Sequence, residues 1–115
     1  MARTILIVDD YAPFRASARS LLESEGFDVV GEAENGVAAL RLAKELEPEI
    51  VLLDVALPDF DGFEVADRLR KLKSPPEVIL TSSRDDYGPL IASSAARAFV
   101  RKDELSGDTL ASALT

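Results

Sequence analysis

Glu49-Ile50-Val51-Leu52-Leu53-Asp54, running on into Val55-Ala56-Leu57-Pro58-Asp59-Phe60-Asp61-Gly62, is the stretch on which the fold turns. Four consecutive aliphatic residues without polar alternation describe a strand covered on both faces, as in the middle of a parallel sheet. The segment after it, with Pro58, Asp59, Asp61 and Gly62, describes a turn. Asp54 stands where the two meet. A carboxylate at a strand end is most often a turn residue, so Asp54 taken alone is structural. A second run, Ile5-Leu6-Ile7-Val8, ends in the same way on Asp9 and Asp10, and that repetition shifts the reading towards chemistry.

The rest of the chain alternates with these strands. Pro13 near its start, Phe14, Ala18, Leu21 and Leu22 at helical spacing and Gly26 beyond the last turn predict an amphipathic helix with Arg15, Arg19 and Glu23 on its wet face. Phe27 to Ala33 reads as a strand, and Asn35-Gly36 turns into a helix expected to point Val37, Leu40 and Ala43 inward, with Pro48 just beyond it. Asp61 stands three residues before Glu64, a capping-box-like start for a third helix burying Phe63, Ala66 and Leu69. Glu77 to Thr81 is a fourth strand ending in the hydroxyl pair Thr81-Ser82. Gly88-Pro89 can occupy only the first turn of a fourth helix over Leu90 to Arg97, which its Ala and Ser content makes short and mobile. Ala98-Phe99-Val100 is a fifth strand leading to Lys102, and Ser106 caps a final helix carrying Leu110, Ala113 and Leu114. That helix has barely two turns before Thr115, so it either docks firmly or the natural chain continues.

Five strands alternating with five helices, joined by right-handed crossovers, make a doubly wound α/β fold the economical architecture. With 115 residues and no linker, one domain over 1–115 is expected, any effector domain lying outside it. There is no cysteine and no histidine, which excludes disulfides, thiolate or imidazole metal sites and Ser-His-Asp catalysis. The balance of 21 acidic to 13 basic residues, the latter scattered, disfavours direct contact with nucleic acid or an anionic membrane. With no signal-peptide core, the protein is expected to be soluble and cytoplasmic.

Ligands of such sheets bind at the carboxyl ends of the strands beside a topological switch point. That edge gathers Asp9, Asp10, Asp54, Thr81, Ser82 and Lys102. Two carboxylates about 4 Å apart repel by roughly 4 kcal/mol at an effective dielectric near 20, so the cluster needs a proton or a cation. All-oxygen ligation suits Mg²⁺, with Mn²⁺ as the alternative, and Lys102 adds a point charge able to hold a phosphate. No glycine-rich phosphate loop competes for the role.

Ile5 to Asp10, Val51 to Asp54 with Leu57-Pro58 and Asp61-Gly62, Val78 to Ser82, and Phe99 to Lys102 together resemble the receiver domains of bacterial two-component response regulators. The resemblance implies a flavodoxin-like (βα)5 three-layer sandwich, its parallel five-stranded sheet ordered 2-1-3-4-5. It implies Asp54 as the phosphoacceptor for a sensor histidine kinase or phosphotransfer protein. Asp10 and Asp54 would bind Mg²⁺ directly, Asp9 through water, and Ala56 through its backbone carbonyl. Thr81 and Lys102 would hold the phosphoryl group, with Thr81 and Phe99 as switch residues. Output would pass to a downstream effector, or to a second copy, through the face made by the fourth helix, fifth strand and fifth helix. The chain would be no enzyme beyond its own phosphorylation and slow autodephosphorylation.

The positions that bear on output and lifetime are Phe99, Asp103, Ala56 and Ser82. Phe99 lacks the hydroxyl of the tyrosine common there. Asp103 replaces the usual proline after Lys102, as in members that precede a helix-turn-helix domain and regulate transcription. Ala56 and Ser82 are small, so autodephosphorylation is expected to be set by access. The alternative is a pseudo-receiver, a phosphorylation-independent interaction scaffold, which the full set of acidic and phosphate-binding residues disfavours. A haloacid-dehalogenase-like phosphatase would need an Asp where Ala56 stands.

Overall fold

The computed structural model describes residues 3–83, 90 and 93–114. Its strands are β1 (Thr4–Val8), β2 (Asp28–Ala33), β3 (Ile50–Asp54), β4 (Glu77–Ser82) and β5 (Ala98–Arg101); helices α1 (Ala12–Ser24), α2 (Gly36–Leu46) and α3 (Gly62–Arg70) join the first four strands. A 3-10 turn, Lys102–Glu104, and a C-terminal helix, Gly107–Leu114, follow β5. All strand pairs are parallel, in the order β2-β1-β3-β4-β5. Of the fourth helix expected over 90–97, residues 91 and 92 lie outside the described residues, and the expectation fails at its C-terminal part, where residues 93–97 form a turn and bends in place of a helix.

The unbroken apolar runs now have a physical reason. Alternate residues point to opposite faces of a strand, and both faces are buried. Leu6, Val8, Val51, Leu53, Val78 and Leu80 pack on one side against Ala39 and Ala43 of α2 and Val65, Ala66 and Leu69 of α3. Ile5, Ile7, Ile50, Leu52, Ile79 and Val100 pack on the other against Ala18 and Leu22 of α1 and Leu110 of the C-terminal helix. This is the three-layer sandwich, with the switch point between β1 and β3.

Helix ends follow local chemistry. Asn35 accepts a hydrogen bond from the Ala38 N–H at 2.8 Å, and Asp61 accepts one from Glu64 at 2.8 Å, so both predicted starts are capped. The two-turn C-terminal helix is capped by Ser106, whose hydroxyl accepts from the Thr109 N–H while Thr109 Oγ1 accepts from the Ser106 N–H. Its Leu110 is fully buried, which gives the docking such a short helix needs. Gly26, after α1, has φ +94°, a conformation that favours glycine.

Three expectations about helix faces need correction. Val37 is 59% exposed and Leu40 only partly buried; Ala43 is buried as expected, and Ala39, not Val37, joins it in the interior. In α3 the fully buried residues are Val65, Ala66 and Leu69, with Phe63 only partly covered. Arg15 does not lie on a wet face: its side chain is 17% exposed and engages Glu32 of β2. No helix among the described residues is long and apolar enough to cross a membrane.

Candidate phosphoacceptor and metal site

Register delivers the polar residues to one edge. Ile5 lies beside Ile50 and Val8 beside Leu53, so Asp9 emerges from β1 next to Asp54 at the end of β3; Asp54 in turn pairs with Thr81 of β4, and Thr81 with Val100 of β5. Lys102 stands two residues after Val100, where β5 gives way to the 3-10 turn. Carboxylate oxygens of Asp9, Asp10 and Asp54 lie within 4.8 Å of one another. Asp9 is fully buried and Asp54 nearly so, while Asp10 is exposed, giving the group one open side.

Lys102 Nζ bridges the two buried acids, 2.6 Å from Asp9 Oδ2 and 3.3 Å from Asp54 Oδ2. Asp9 Oδ1 accepts from the Tyr11 N–H at 2.9 Å, and Asp54 Oδ1 from the Ala56 N–H at 3.2 Å. Burial, reinforced by the charge of Asp9, holds the Asp54 carboxyl above its ordinary value despite the opposing pull of Lys102 and the Ala56 N–H. Burial alone would depress the Lys102 ammonium. Its hydrogen bond to Asp9 and the charges of Asp54 and Asp9 outweigh that, so its pKa is raised. Thr81 Oγ1 is buried and makes no hydrogen bond among the described residues, a costly state for a hydroxyl.

A profile of the response regulator receiver domain matches residues 5–114. The chain belongs to that family. BvgA of Bordetella pertussis is 38% identical over 106 residues, which cover 90% of this chain and 51% of that protein. The chemotaxis protein CheY of Bacillus subtilis is 35% identical over 91 residues, covering 79% of this chain and 76% of that one. The chain thus spans about half the length of the first curated relatives it matches. Among solved structures, a LuxR-family two-component response regulator from Aurantimonas sp. SI85-9A1 superposes with a TM-score of 0.81 at 30% identity, covering 89% of this chain and 75% of that one. The signal receiver domain of a modulated diguanylate cyclase from Desulfovibrio desulfuricans G20 gives 0.83 at 33% identity, covering 99% and 91%. Receiver domains are phosphoproteins of two-component signalling whose catalysis is confined to their own phosphorylation and dephosphorylation, so this domain is not an enzyme with external substrates.

The residues present fit a hard divalent cation. Three carboxylates supply only oxygen donors, one of them is open to solvent, and the buried pair carries more negative charge than Lys102 alone neutralises. Phe99, the expected switch residue, lies beside Leu80 and is partly buried among the residues packed against the α2 and α3 side of the sheet.

Three residues support the receiver site in ways the sequence did not reveal. The Phe14 ring lies 4.7 Å beneath Lys102 Nζ, a cation–π contact that helps hold the ammonium over the acids. Helical spacing marked Phe14 as core and gave no sign of this. Gly62 packs against the Asp54 peptide: a Cβ there would lie 2.5 Å from the Asp54 carbonyl oxygen and 2.7 Å from Val55 Cα. Asp59 reaches across to α2 and accepts from the N–H groups of Gly36 at 2.7 Å and Val37 at 3.0 Å, joining the turn after Asp54 to a helix start.

Proposed function

We propose that this receiver domain is a phosphorylation-controlled switch that accepts a phosphoryl group on Asp54 from the phosphohistidine of a sensor histidine kinase or phosphotransfer protein. The observation that carries this reading is the placement of Lys102 Nζ 3.3 Å from Asp54 Oδ2, with the buried Thr81 hydroxyl, unpartnered among the described residues, on the paired strand. One Asp54 carboxylate oxygen attacks phosphorus as the P–N bond to the donor imidazole breaks. The phosphoryl group then becomes an acyl phosphate on Asp54.

Mg²⁺, or Mn²⁺ in its place, would be held by Asp10 and Asp54, by Asp9 through water, and by the Ala56 carbonyl. When bound it neutralises negative charge on the phosphoryl oxygens. Lys102 leaves its ion pair with Asp9 to pair with one phosphoryl oxygen. The Thr81 hydroxyl, which has no hydrogen-bond partner among the described residues, donates a hydrogen bond to another. Movement of Thr81 towards the phosphoryl group is felt by Phe99 on the neighbouring strand through packing alone, since Phe99 has no hydroxyl.

Residues 1–115 act as the receiver unit of a cytoplasmic regulator. Output passes through the face of β5 and the C-terminal helix, with the expected fourth helix, to an effector or a second copy, with control of transcription the favoured outcome by analogy with BvgA, a transcription regulator by name. The test is incubation with acetyl phosphate, with Mg²⁺ or with a chelator, followed by intact mass. A base-labile phosphoryl adduct should form on the unmodified chain with Mg²⁺ and be absent with the chelator and in Asp54→Ala. An adduct that persists in Asp54→Ala would overturn the assignment.

A further inference from the structure

Besides its ion pair with Lys102, Asp9 is held at three points. Its N–H donates to the Ala33 carbonyl at 3.0 Å, its Oδ1 accepts from the Tyr11 N–H, and its own carbonyl oxygen accepts from Arg15 Nη1 at 2.6 Å. The last of these lies on the peptide joining Asp9 to Asp10. Holding that carbonyl fixes the plane of the peptide from which Asp10 leaves, and so narrows the directions its side chain can take. Asp10 is exposed, so no surrounding core orients it. Arg15 is itself anchored, its Nε 3.2 Å from Glu32 Oε1 on β2, and Glu32 is steadied in turn by Arg19 Nη1 at 2.7 Å. The planar guanidinium spans carboxylate and carbonyl together, which a lysine ammonium cannot reproduce with the same geometry.

From this geometry we infer that Arg15 is a positioning residue for the cation site: through the Asp9 carbonyl it aims the acidic pair, while Glu32 both anchors and neutralises it. The inference rests on the cation-binding reading proposed above. It opposes the simple electrostatic expectation. A positive charge near three carboxylates competes with a bound cation, so a charge role and a positioning role for Arg15 predict opposite effects when the charge is removed.

The experiment is calorimetric titration of the metal-free chain with Mg²⁺ alone, with folding of each variant checked by circular dichroism. The unmodified chain should bind and Asp10→Asn should lose most of that binding; if the unmodified chain does not bind, the cation reading itself fails. Given binding, Arg15→Met and Arg15→Lys should each weaken Mg²⁺ on the order of 10-fold, as loss of a group supporting a metal ligand does. Arg19→Met, which removes the other partner of Glu32 but not the grip on the Asp9 carbonyl, should weaken it clearly less than either Arg15 variant. Tighter binding by Arg15→Met, unchanged affinity in Arg15→Lys, or an equal loss in Arg19→Met would each overturn the positioning role. Should Arg15→Met fail to fold, Arg15→Lys against Arg19→Met decides.

Discussion

Thr81 and Asp54 are both placed at a cost to the unphosphorylated fold. A buried hydroxyl without a partner costs about 1–3 kcal/mol, and among the described residues Thr81 Oγ1 is such a group. Thr81→Val should therefore leave the resting domain as stable as the parent, or more so by about 1 kcal/mol, while slowing phosphorylation by acetyl phosphate; urea unfolding and adduct kinetics measure the two effects. Asp54 carries the same tension in its charge, because burial and Asp9 disfavour its ionised form. In chelator at neutral pH, Asp54→Asn should raise the melting temperature, since Lys102 keeps its 2.6 Å contact with Asp9. A lowered melting temperature would mean that the Lys102 pairing outweighs desolvation at this position. Both residues were legible because each ends an apolar run. Arg15 was not, because a charged residue on an amphipathic helix reads as solvated, and its partners, Glu32 and the Asp9 carbonyl, become neighbours only in the fold.

Elements show where sequence patterns were sufficient and where they were not. β1, β3 and β4 were plain because burial on both faces leaves no polar alternation to misread. The phase of α2 was ambiguous: Val37, Ala38, Ala39, Leu40, Leu42 and Ala43 are apolar almost all round, and close approach to the sheet selects the small Ala39 and Ala43 for the interior. The turn after Asp54 is tied down by contacts invisible to periodicity. Gly62→Ala would drive a Cβ into the Asp54 carbonyl, so it should destabilise the domain by about 1–3 kcal/mol in chemical denaturation and slow phosphorylation as the turn shifts. The N–H groups of Gly36, Val37 and Phe60 hold the Asp59 carboxyl below its ordinary value, overcoming the opposing effect of desolvation. A lowered folded-state pKa contributes stability above the unfolded-state value and loses it as pH falls through the folded-state value. Asp59→Ala should therefore be less stable than the parent at neutral pH, and the gap should narrow in strongly acidic solution, as thermal melts across that range would record. In the C-terminal helix, Leu110→Ala removes its one fully buried side chain and should cost about 2–5 kcal/mol in the same assay.

For the molecule as a whole, a parallel sheet ordered β2-β1-β3-β4-β5 brings the ends of β1, β3, β4 and β5 to one edge, and each end carries a residue of the candidate site. The fold class, this edge and its acidic, hydroxyl and ammonium groups were legible as five punctuated apolar runs. The supports beneath them were not, because Phe14 under Lys102, Arg15 on Asp9 and Asp59 on α2 are contacts between elements. The central claim is that side chains from four strands act as one phosphoryl and cation site. Amide NMR spectra of the isotope-labelled domain, recorded with Mg²⁺ and beryllofluoride as a phosphoryl mimic, test it most directly. The account predicts that signals of Thr81 and Lys102 shift together with those of Asp10, Asp54 and Ala56 when both reagents are present, beyond any change that Mg²⁺ alone produces, and not in Asp54→Ala. Shifts that spare Thr81 and Lys102, or that survive in Asp54→Ala, would contradict it.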